Sequence, residues 1–370
     1  MPDMPITSLP DFPWDRLAPY VDVAGLHPDG VVDLSIGTPV DPTPEVVRRA
    51  LIDAADAPGY PYTVGTMTLR EAAARWLARR VSVTVDPATE VLPTVGSKEL
   101  VTLLPTLLGL TGSVLFPDLA YPSYDVGARL AGCEPVVVPT VDGLLDLDAL
   151  TRMADGAAML WVNYPANPHG RIAPPEHLAA LAAWGREHSV LTVSDECYLE
   201  FAYTAPATSM LAHGTQGVLT VHSLSKRSNM AGYRAGFVAG DAAVVAALLE
   251  VRKHVGLIVP APVQAAMIAA LDDDAHVEVQ RELYGERRAL LQQALERSGW
   301  RVDHSQGGLY LWVTHPAYDC WSAVDALSTL GILVAPGEFY GAAGRNHVRF
   351  SLTATTDNIT HAAHRLETFS

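Results

Sequence analysis

Between residues 90 and 240 the chain alternates short, unbroken apolar runs with stretches of helical periodicity, and few folds accept that pattern. The candidate strands are residues 90–95, 113–116, 134–139, 157–163, 190–194, 217–222 and 235–239, with candidate helices at 98–108, 123–131 and 176–188. A strand that is apolar at successive positions is buried on both faces. Such strands, separated by helices, predict a largely parallel sheet covered on both sides, the core of an α/β domain. Downstream, residues 277–298 read as a long amphipathic helix stopped by Gly299. The strand "GGLYLWVT", a helix near 321–329, the strands "ILVA" and "HVRFSL" and a last helix from Asp357 follow. The first 40 residues are proline-rich and carry one expected strand, "VVDLSIG", at 31–37. The expected organisation is a large domain over 41–275 and a smaller α+β domain built from 1–40 and 276–370.

Charge and cysteine usage narrow the function. A formal net charge of −16 opposes binding to nucleic acid or an anionic membrane surface, although local arginines can still hold a small anion. The three cysteines, Cys133, Cys197 and Cys320, show no CxxC spacing, which fits a reducing compartment and predicts neither a disulfide framework nor a metal site. No basic-then-apolar leader opens the sequence, and the longest apolar run, "VGLIVPAPVQAAMIAAL", is broken by Gly, Pro and Gln. A cytoplasmic enzyme acting on small molecules, with no nucleic-acid or membrane partner, is expected.

In an open α/β sheet, ligands collect at the carboxyl ends of the strands. Here those exits read "GSKE", "PDLAYPSY", "YPANPHG", "DECY" and "SLSK". A loop lysine is ordinarily a solvated charge. Lys226, however, lies in a small-residue loop between two apolar strands, where burial would lower its pKa and make it an amine able to form a Schiff base. Gly96-Ser97 opens a helix, a position suited to an anion, though the same dipeptide also serves as a plain N-cap. Ser223, Ser225 and Arg234 add phosphate-type donors around the lysine. A phosphate site plus a Schiff-base lysine points to pyridoxal 5′-phosphate. That cofactor needs an acid at its ring nitrogen, and Asp195, at the end of "VLTVSD", is the candidate.

These residues carry a resemblance. "SLSKRSNMAGYRAGF", "NYPANPHG" and "DECY" resemble, in order and spacing, the motifs of class I/II aminotransferases, fold type I of the pyridoxal-phosphate enzymes. His169 stands where the second motif usually has Thr. The resemblance runs from "IGTPVDPTP" to "HVRFSL". It implies that Lys226 binds the cofactor covalently and moves the proton, that Asp195 pairs with the ring nitrogen, and that Asn167 and Tyr198 meet the ring's phenolic oxygen. Tyr121 would stack on the ring. Ser97, Lys98 through its backbone, Ser223 and Arg234 would hold the phosphate, with Ser225 a further candidate. Tyr60, or its near neighbour Tyr62, would reach the phosphate of a neighbouring subunit, implying a homodimer with shared sites. Arg349 and the backbone of Gly37 would take the substrate α-carboxylate.

The implied reaction is transamination between an amino acid and a 2-oxo acid. "DLSIGTPVDPTP", "APGYPYTVGT" and the lysine motif are closest to the N-succinyl-diaminopimelate aminotransferases, which exchange an amino group between glutamate and N-succinyl-2-amino-6-oxopimelate. Such substrates carry a distal carboxylate, for which Arg227, Arg129 and Arg287 are the candidate partners. Aminotransferases for aspartate, aromatic amino acids or prephenate, and a C–S lyase using the same cofactor, are the alternatives.

Overall fold

The computed structural model describes residues 9–368; residues 1–8 and 369–370, at the outer ends of the expected small domain, lie outside the described residues. The apolar runs form β1 (Val91–Val95), β2 (Ser113–Pro117), β3 (Glu134–Val138), β4 (Ala157–Asn163), β5 (Leu191–Asp195), β6 (Val218–Ser223) and β7 (Ala235–Gly240). They make one seven-stranded sheet in the order β1-β7-β6-β5-β4-β2-β3. The fold class is as expected, α/β with a mostly parallel central sheet. One strand departs from the parallel pattern: β7 pairs antiparallel with both β1 and β6. Because β7 inserts between them, β1 still runs in the direction of the other five, and the exits of β1, β2, β4, β5 and β6 share one edge.

Alternate side chains of each strand feed two different cores. Leu115, Leu160, Val162, Val218 and Phe237 face helices Met67–Val81, Pro175–His188 and Ala261–Asp272. Val114, Met159, Trp161, Leu219 and Val238 face helices Ser97–Leu107, Ser123–Leu130 and Ala242–Val255. Period-two alternation with both faces apolar is what a sheet between two helical layers requires. Local signals set the helix ends. Thr66 caps Met67–Val81 through the Leu69 N–H, Asp241 caps Ala242–Val255 through Ala243 and Val244, and Gly256 closes the latter at φ 72°.

A third core lies under a four-stranded antiparallel sheet of β8 (Arg301–Asp303), β9 (Tyr310–Thr314), β10 (Ala335–Pro336) and β11 (His347–Ser351), in the order β8-β9-β11-β10. Helices Ala275–Arg297, Cys320–Thr329 and Thr356–Leu366 contribute to it, and so do Leu17, Val32 and Leu34 from the other end of the chain.

The strand expected at 31–37 is a correction. Only Val32–Asp33 pair, in parallel with Ile332–Leu333. The Asp33 carboxylate then accepts from both the N–H and the hydroxyl of Ser35, at 2.8 and 2.6 Å, and turns the chain. The carbonyls that a longer strand would have put into a ladder go to side chains instead. Ser35 O accepts from Arg349, Ile36 O from Thr353 and Gly37 O from Lys226.

Candidate active site

The strand edge assembles the site. β1 leads through Gly96 into helix Ser97–Leu107. β4 leads to Asn167, β5 ends on Asp195, and β6 ends on Ser223, followed by the short helix Leu224–Arg227 that carries Lys226. From the four-stranded sheet, β9 brings Tyr310 and β11 brings Arg349.

Lys226 donates from Nζ to the Gly37 carbonyl and, among the described residues, pairs with no carboxylate. Burial lowers its pKa. The Tyr310 hydroxyl and Cys197 thiol oppose the shift, and the cations of Arg349 and Arg234 reinforce it. An amine held in this way is a nucleophile.

Asp195 is 7% exposed. Its Oδ2 accepts the Tyr124 hydroxyl at 3.0 Å and its Oδ1 the Cys197 N–H at 3.2 Å. Burial raises its pKa, and the bonds from Cys197 and Tyr124 pull it back. A buried carboxylate with donors but no cation among the described residues fits the protonated ring nitrogen of a pyridine. Tyr124 itself is fully buried, stacked on Trp161 at 4.7 Å and 13°, with Tyr121 edge-on at 5.9 Å.

Arg349, 2% exposed, donates to Asn167 Oδ1 at 3.0 Å and to Ser35 O at 2.8 Å, while its guanidinium lies 3.8 Å from the Tyr310 ring centroid and 4.9 Å from that of Tyr340. The fork is thus fixed in place before any substrate arrives. Asn167 is anchored through its N–H to Asn163 Oδ1 at 2.8 Å, and Asn163 donates to Asp195 O at 2.7 Å, so strand ends β4 and β5 are tied together. Tyr198 and Tyr310 share a hydrogen bond of 3.0 Å between their hydroxyls. Either hydroxyl can donate; the Arg349 and Lys226 cations beside Tyr310 lower its pKa, while burial raises that of Tyr198.

The phosphate end is built from backbone and one cation. Gly96, at φ 73°, precedes a helix that no side chain caps, leaving first-turn N–H groups pointing outward at Ser97 and Lys98. A Cβ on Gly96 would fall 2.4 Å from Arg234 Nη2, so only glycine lets that guanidinium lie against the helix start. Arg234 is held there by its own αL backbone, at φ 55°, and a bond to Ala231 O at 2.8 Å. Ser223 is buried and accepts the Ser225 N–H at 3.2 Å, which leaves its own hydroxyl hydrogen free to donate; Ser225 is also buried. Free N–H groups, a guanidinium and a buried, charge-suppressed lysine fit pyridoxal 5′-phosphate.

Three placements differ from expectation. Arg227 is turned away from the site into an ion pair with Glu200 and a bond to Ala270 O at 2.8 Å. Arg129 pairs with Asp125 one helical turn back, and Arg287 with Asp41 at 2.7 Å. All three arginines considered for a distal carboxylate are therefore engaged elsewhere. Adjacency to the lysine does not settle which way Arg227 faces, because neighbouring helical residues point in different directions. Tyr60 and Tyr62 are 99% and 80% exposed on this chain and reach none of its own site. Gly37 contributes its carbonyl, to Lys226, and a Cβ there would lie 2.1 Å from the Tyr310 hydroxyl. Tyr124, Tyr310, Tyr340 and Ser35 do not stand out in the sequence; "YPSY" at the β2 exit is the signal that could have drawn attention to Tyr124.

Comparisons with known proteins give the chain its family. The family model described as aminotransferase class I and II matches residues 29–366. The chain is 53% identical over 367 residues to 4-dedimethylamino-4-oxo-anhydrotetracycline transaminase OxyQ of Streptomyces rimosus, covering 97% of this chain and 99% of that one. It is 37% identical to the LL-diaminopimelate aminotransferase of Aquifex aeolicus, over 91% of each. Among solved structures, the probable N-succinyldiaminopimelate aminotransferase of Thermus thermophilus superposes with a TM-score of 0.88 at 30% identity, covering 96% of this chain and 99% of that one. No helix among the described residues is long and apolar enough to cross a membrane. The chain belongs to the class I and II aminotransferases, enzymes that use pyridoxal 5′-phosphate to move amino groups between amino acids and 2-oxo acids.

Proposed function

We propose that the enzyme transfers an amino group between glutamate or 2-oxoglutarate and N-succinyl-2-amino-6-oxopimelate, as an N-succinyl-diaminopimelate aminotransferase. The observation that carries an α-amino acid substrate is Arg349, a buried fork held between two tyrosines and bonded to Asn167. Support for the diaminopimelate side is the likeness, along nearly the whole chain, to LL-diaminopimelate aminotransferases and to the Thermus protein.

When bound, the cofactor supplies an electron sink for the substrate Cα. The chain's own residues do the rest. Arg349 binds the α-carboxylate, with the Gly37 backbone beside it, and so points the Cα–H toward Lys226. Lys226 holds the cofactor and, once released, carries the proton on Nζ; its lowered pKa suits that task. Asp195, positioned by Tyr124 and Cys197, keeps the ring nitrogen protonated. Tyr198 and Asn167 address the ring oxygen and Tyr121 covers the ring face. Ser97, Lys98, Ser223 and Arg234 hold the phosphate, with Ser225 behind them. The exposed Tyr60 and Tyr62 support a homodimer in which one of them completes the partner's phosphate site. A division into 41–275 and a unit of 1–40 with 276–370, in a cytoplasmic enzyme, completes the reading; the core shared by both chain ends supports that division.

A second reading follows from the engaged arginines. With none of the three free for a distal carboxylate, an oxo substrate of the kind named for OxyQ is the alternative. The visible spectrum decides. Adding N-succinyl-LL-diaminopimelate without a 2-oxo acid should shift the cofactor band. A band that ignores this compound yet responds to glutamate sinks the diaminopimelate assignment and leaves the second reading standing. Lys226→Ala should abolish the band; persistence of band and activity would overturn Lys226 as the amine that holds the cofactor.

A further inference from the structure

Beside the lysine helix lies a small cavity of about 10 Å³, room for about one water. Four of its lining residues each carry a buried polar atom with no hydrogen-bond partner among the described residues. They are Trp76 Nε1, Glu196 Oε2, His222 Nδ1 and Arg227 Nη2. All four residues are at most 4% exposed. They come from four places: helix Met67–Val81, the end of β5, β6, and the helix that carries Lys226.

Their chemistry can be sorted. Trp76 Nε1 and Arg227 Nη2 can only donate. The Thr220 hydroxyl donates to Ala239 O at 3.3 Å, so at 2.9 Å it accepts from His222 Nε2–H, which leaves Nδ1 an acceptor. Glu196 Oε1 already accepts the Met210 N–H at 2.8 Å, and Oε2 is an acceptor when ionised. Two donors and two acceptors, each without a partner among the described residues, belong to residues that line one cavity. An anion there would face the Glu196 carboxylate and a cation would face Arg227. A water, with two lone pairs and two hydrogens, meets all four.

We infer that this cavity is a built site for a buried water, and that Trp76, Glu196, His222 and Arg227 form around it a positioning unit for the reactive groups. The chain path gives the unit its leverage. Glu196 directly follows Asp195 and Arg227 directly follows Lys226. Each reactive residue therefore has its neighbour turned back into the same cavity. The Glu196 N–H also bonds Val221 O at 2.9 Å, and Arg227 is pinned by Glu200, Ser228 and Ala270. Bridging the two neighbours fixes the two strand ends relative to each other. The positioning part rests on Lys226 holding the cofactor and Asp195 meeting its ring nitrogen; the water does not.

A high-resolution crystal structure of the holoenzyme tests the water directly. Ordered density within hydrogen-bond reach of all four atoms is expected, and a dry cavity overturns the proposal. Glu196→Gln tests the positioning. Gln can still accept from Met210, but it presents a donor to the cavity, and three donors with one acceptor cannot be served by one water. The charged and titratable groups around position 196 are Asp195, Cys197, Glu200, His222 and Arg227, with the Ser194 and Ser209 hydroxyls nearby lowering its carboxyl. Burial pushes the Glu196 carboxyl up to about 7, so the comparison belongs above that pH, where the carboxylate is ionised. There the variant should move the midpoint of the visible-band titration by about half a pH unit or more and lower kcat several-fold, with KM little changed. A melting temperature that falls while midpoint and kcat stay put would reduce the cluster to packing and refute the positioning role. Trp76→Phe removes one donor and keeps a bulky ring. It should give a smaller midpoint shift, and if Glu196→Gln does not fold, the absence of any shift in Trp76→Phe carries the same refutation. A wild-type enzyme with no visible band at all would instead sink the Lys226 assignment.

Discussion

Replacing Tyr124 with Phe removes one oxygen from the site and little else. The ring keeps its stacking on Trp161 and its edge contact with Tyr121, because neither uses the hydroxyl. What disappears is the 3.0 Å bond to Asp195 Oδ2, one of the few donors on a carboxylate that burial already pushes toward protonation. A hydrogen bond to a charged group contributes about 1.5–3 kcal/mol. At 1.36 kcal/mol per pKa unit, Asp195 should bind its proton about one to two units more readily. A neutral acid at the ring nitrogen no longer holds that nitrogen protonated. If the whole effect falls on the transition state, kcat drops about tenfold to a hundredfold with KM nearly unchanged. Steady-state kinetics across pH, together with the visible-band titration, measures both quantities. The decisive control is a double-mutant cycle with Asp195→Asn. If Tyr124 acts through Asp195, its loss costs little more in the Asn background. Additive losses, or a single variant within about twofold of wild type in kcat, would refute the assignment.

Gly96→Ala forces a Cβ against Arg234 Nη2 at a backbone φ of 73°, so cofactor affinity, read from apo-enzyme titrated with pyridoxal 5′-phosphate, should weaken by about tenfold or more. An unchanged affinity would mean that Arg234 does not serve the phosphate. Glu99→Ala strands Arg252, whose side chain is fully buried and bonds Glu99 at 2.7 Å; a loss of about 3 kcal/mol in urea unfolding is expected. A third prediction concerns pH. Burial, with His304 and Arg171 adding to it, lowers the His169 pKa from 6.5 to about 3. The unfolded chain therefore takes up a proton that the folded one refuses, so this contribution is intact above pH 6.5 and is lost as pH falls toward 3. His169→Gln should flatten the stability–pH curve below 6.5 by about 1.4 kcal/mol per pH unit relative to wild type, and parallel curves would show that His169 titrates freely in the fold.

What could be read from the sequence follows the range over which each interaction acts. Strands β1 to β7 were legible because burial on both faces writes an apolar run that needs no partner to be recognised. Asp195, Ser223 and Lys226 were legible because each sits within a few residues of a strand exit. The antiparallel β7 left no such mark, since a strand buried on both faces has the same composition in either direction. The second layer of the site was hidden for a related reason. Arg349 and Gly37 were reached only through the family resemblance; that Arg349 would bond Asn167 and Ser35, under the rings of Tyr310 and Tyr340, appears only after the four-stranded sheet closes over the strand edge. That closure also explains why 31–37 failed to form the expected strand. Its hydrophobic pattern is a strand's, but its carbonyls satisfy Arg349, Thr353 and Lys226, three side chains that would otherwise be left with unmatched donors at a buried junction. Arg227 shows the same limit from the other direction. Its position beside the lysine left open whether it faces the substrate, and Glu200, 27 residues upstream in the chain, holds it in an ion pair instead. A place in the chain beside the lysine therefore does not fix which way a side chain faces; partners distant in sequence, such as Glu200 for Arg227, do.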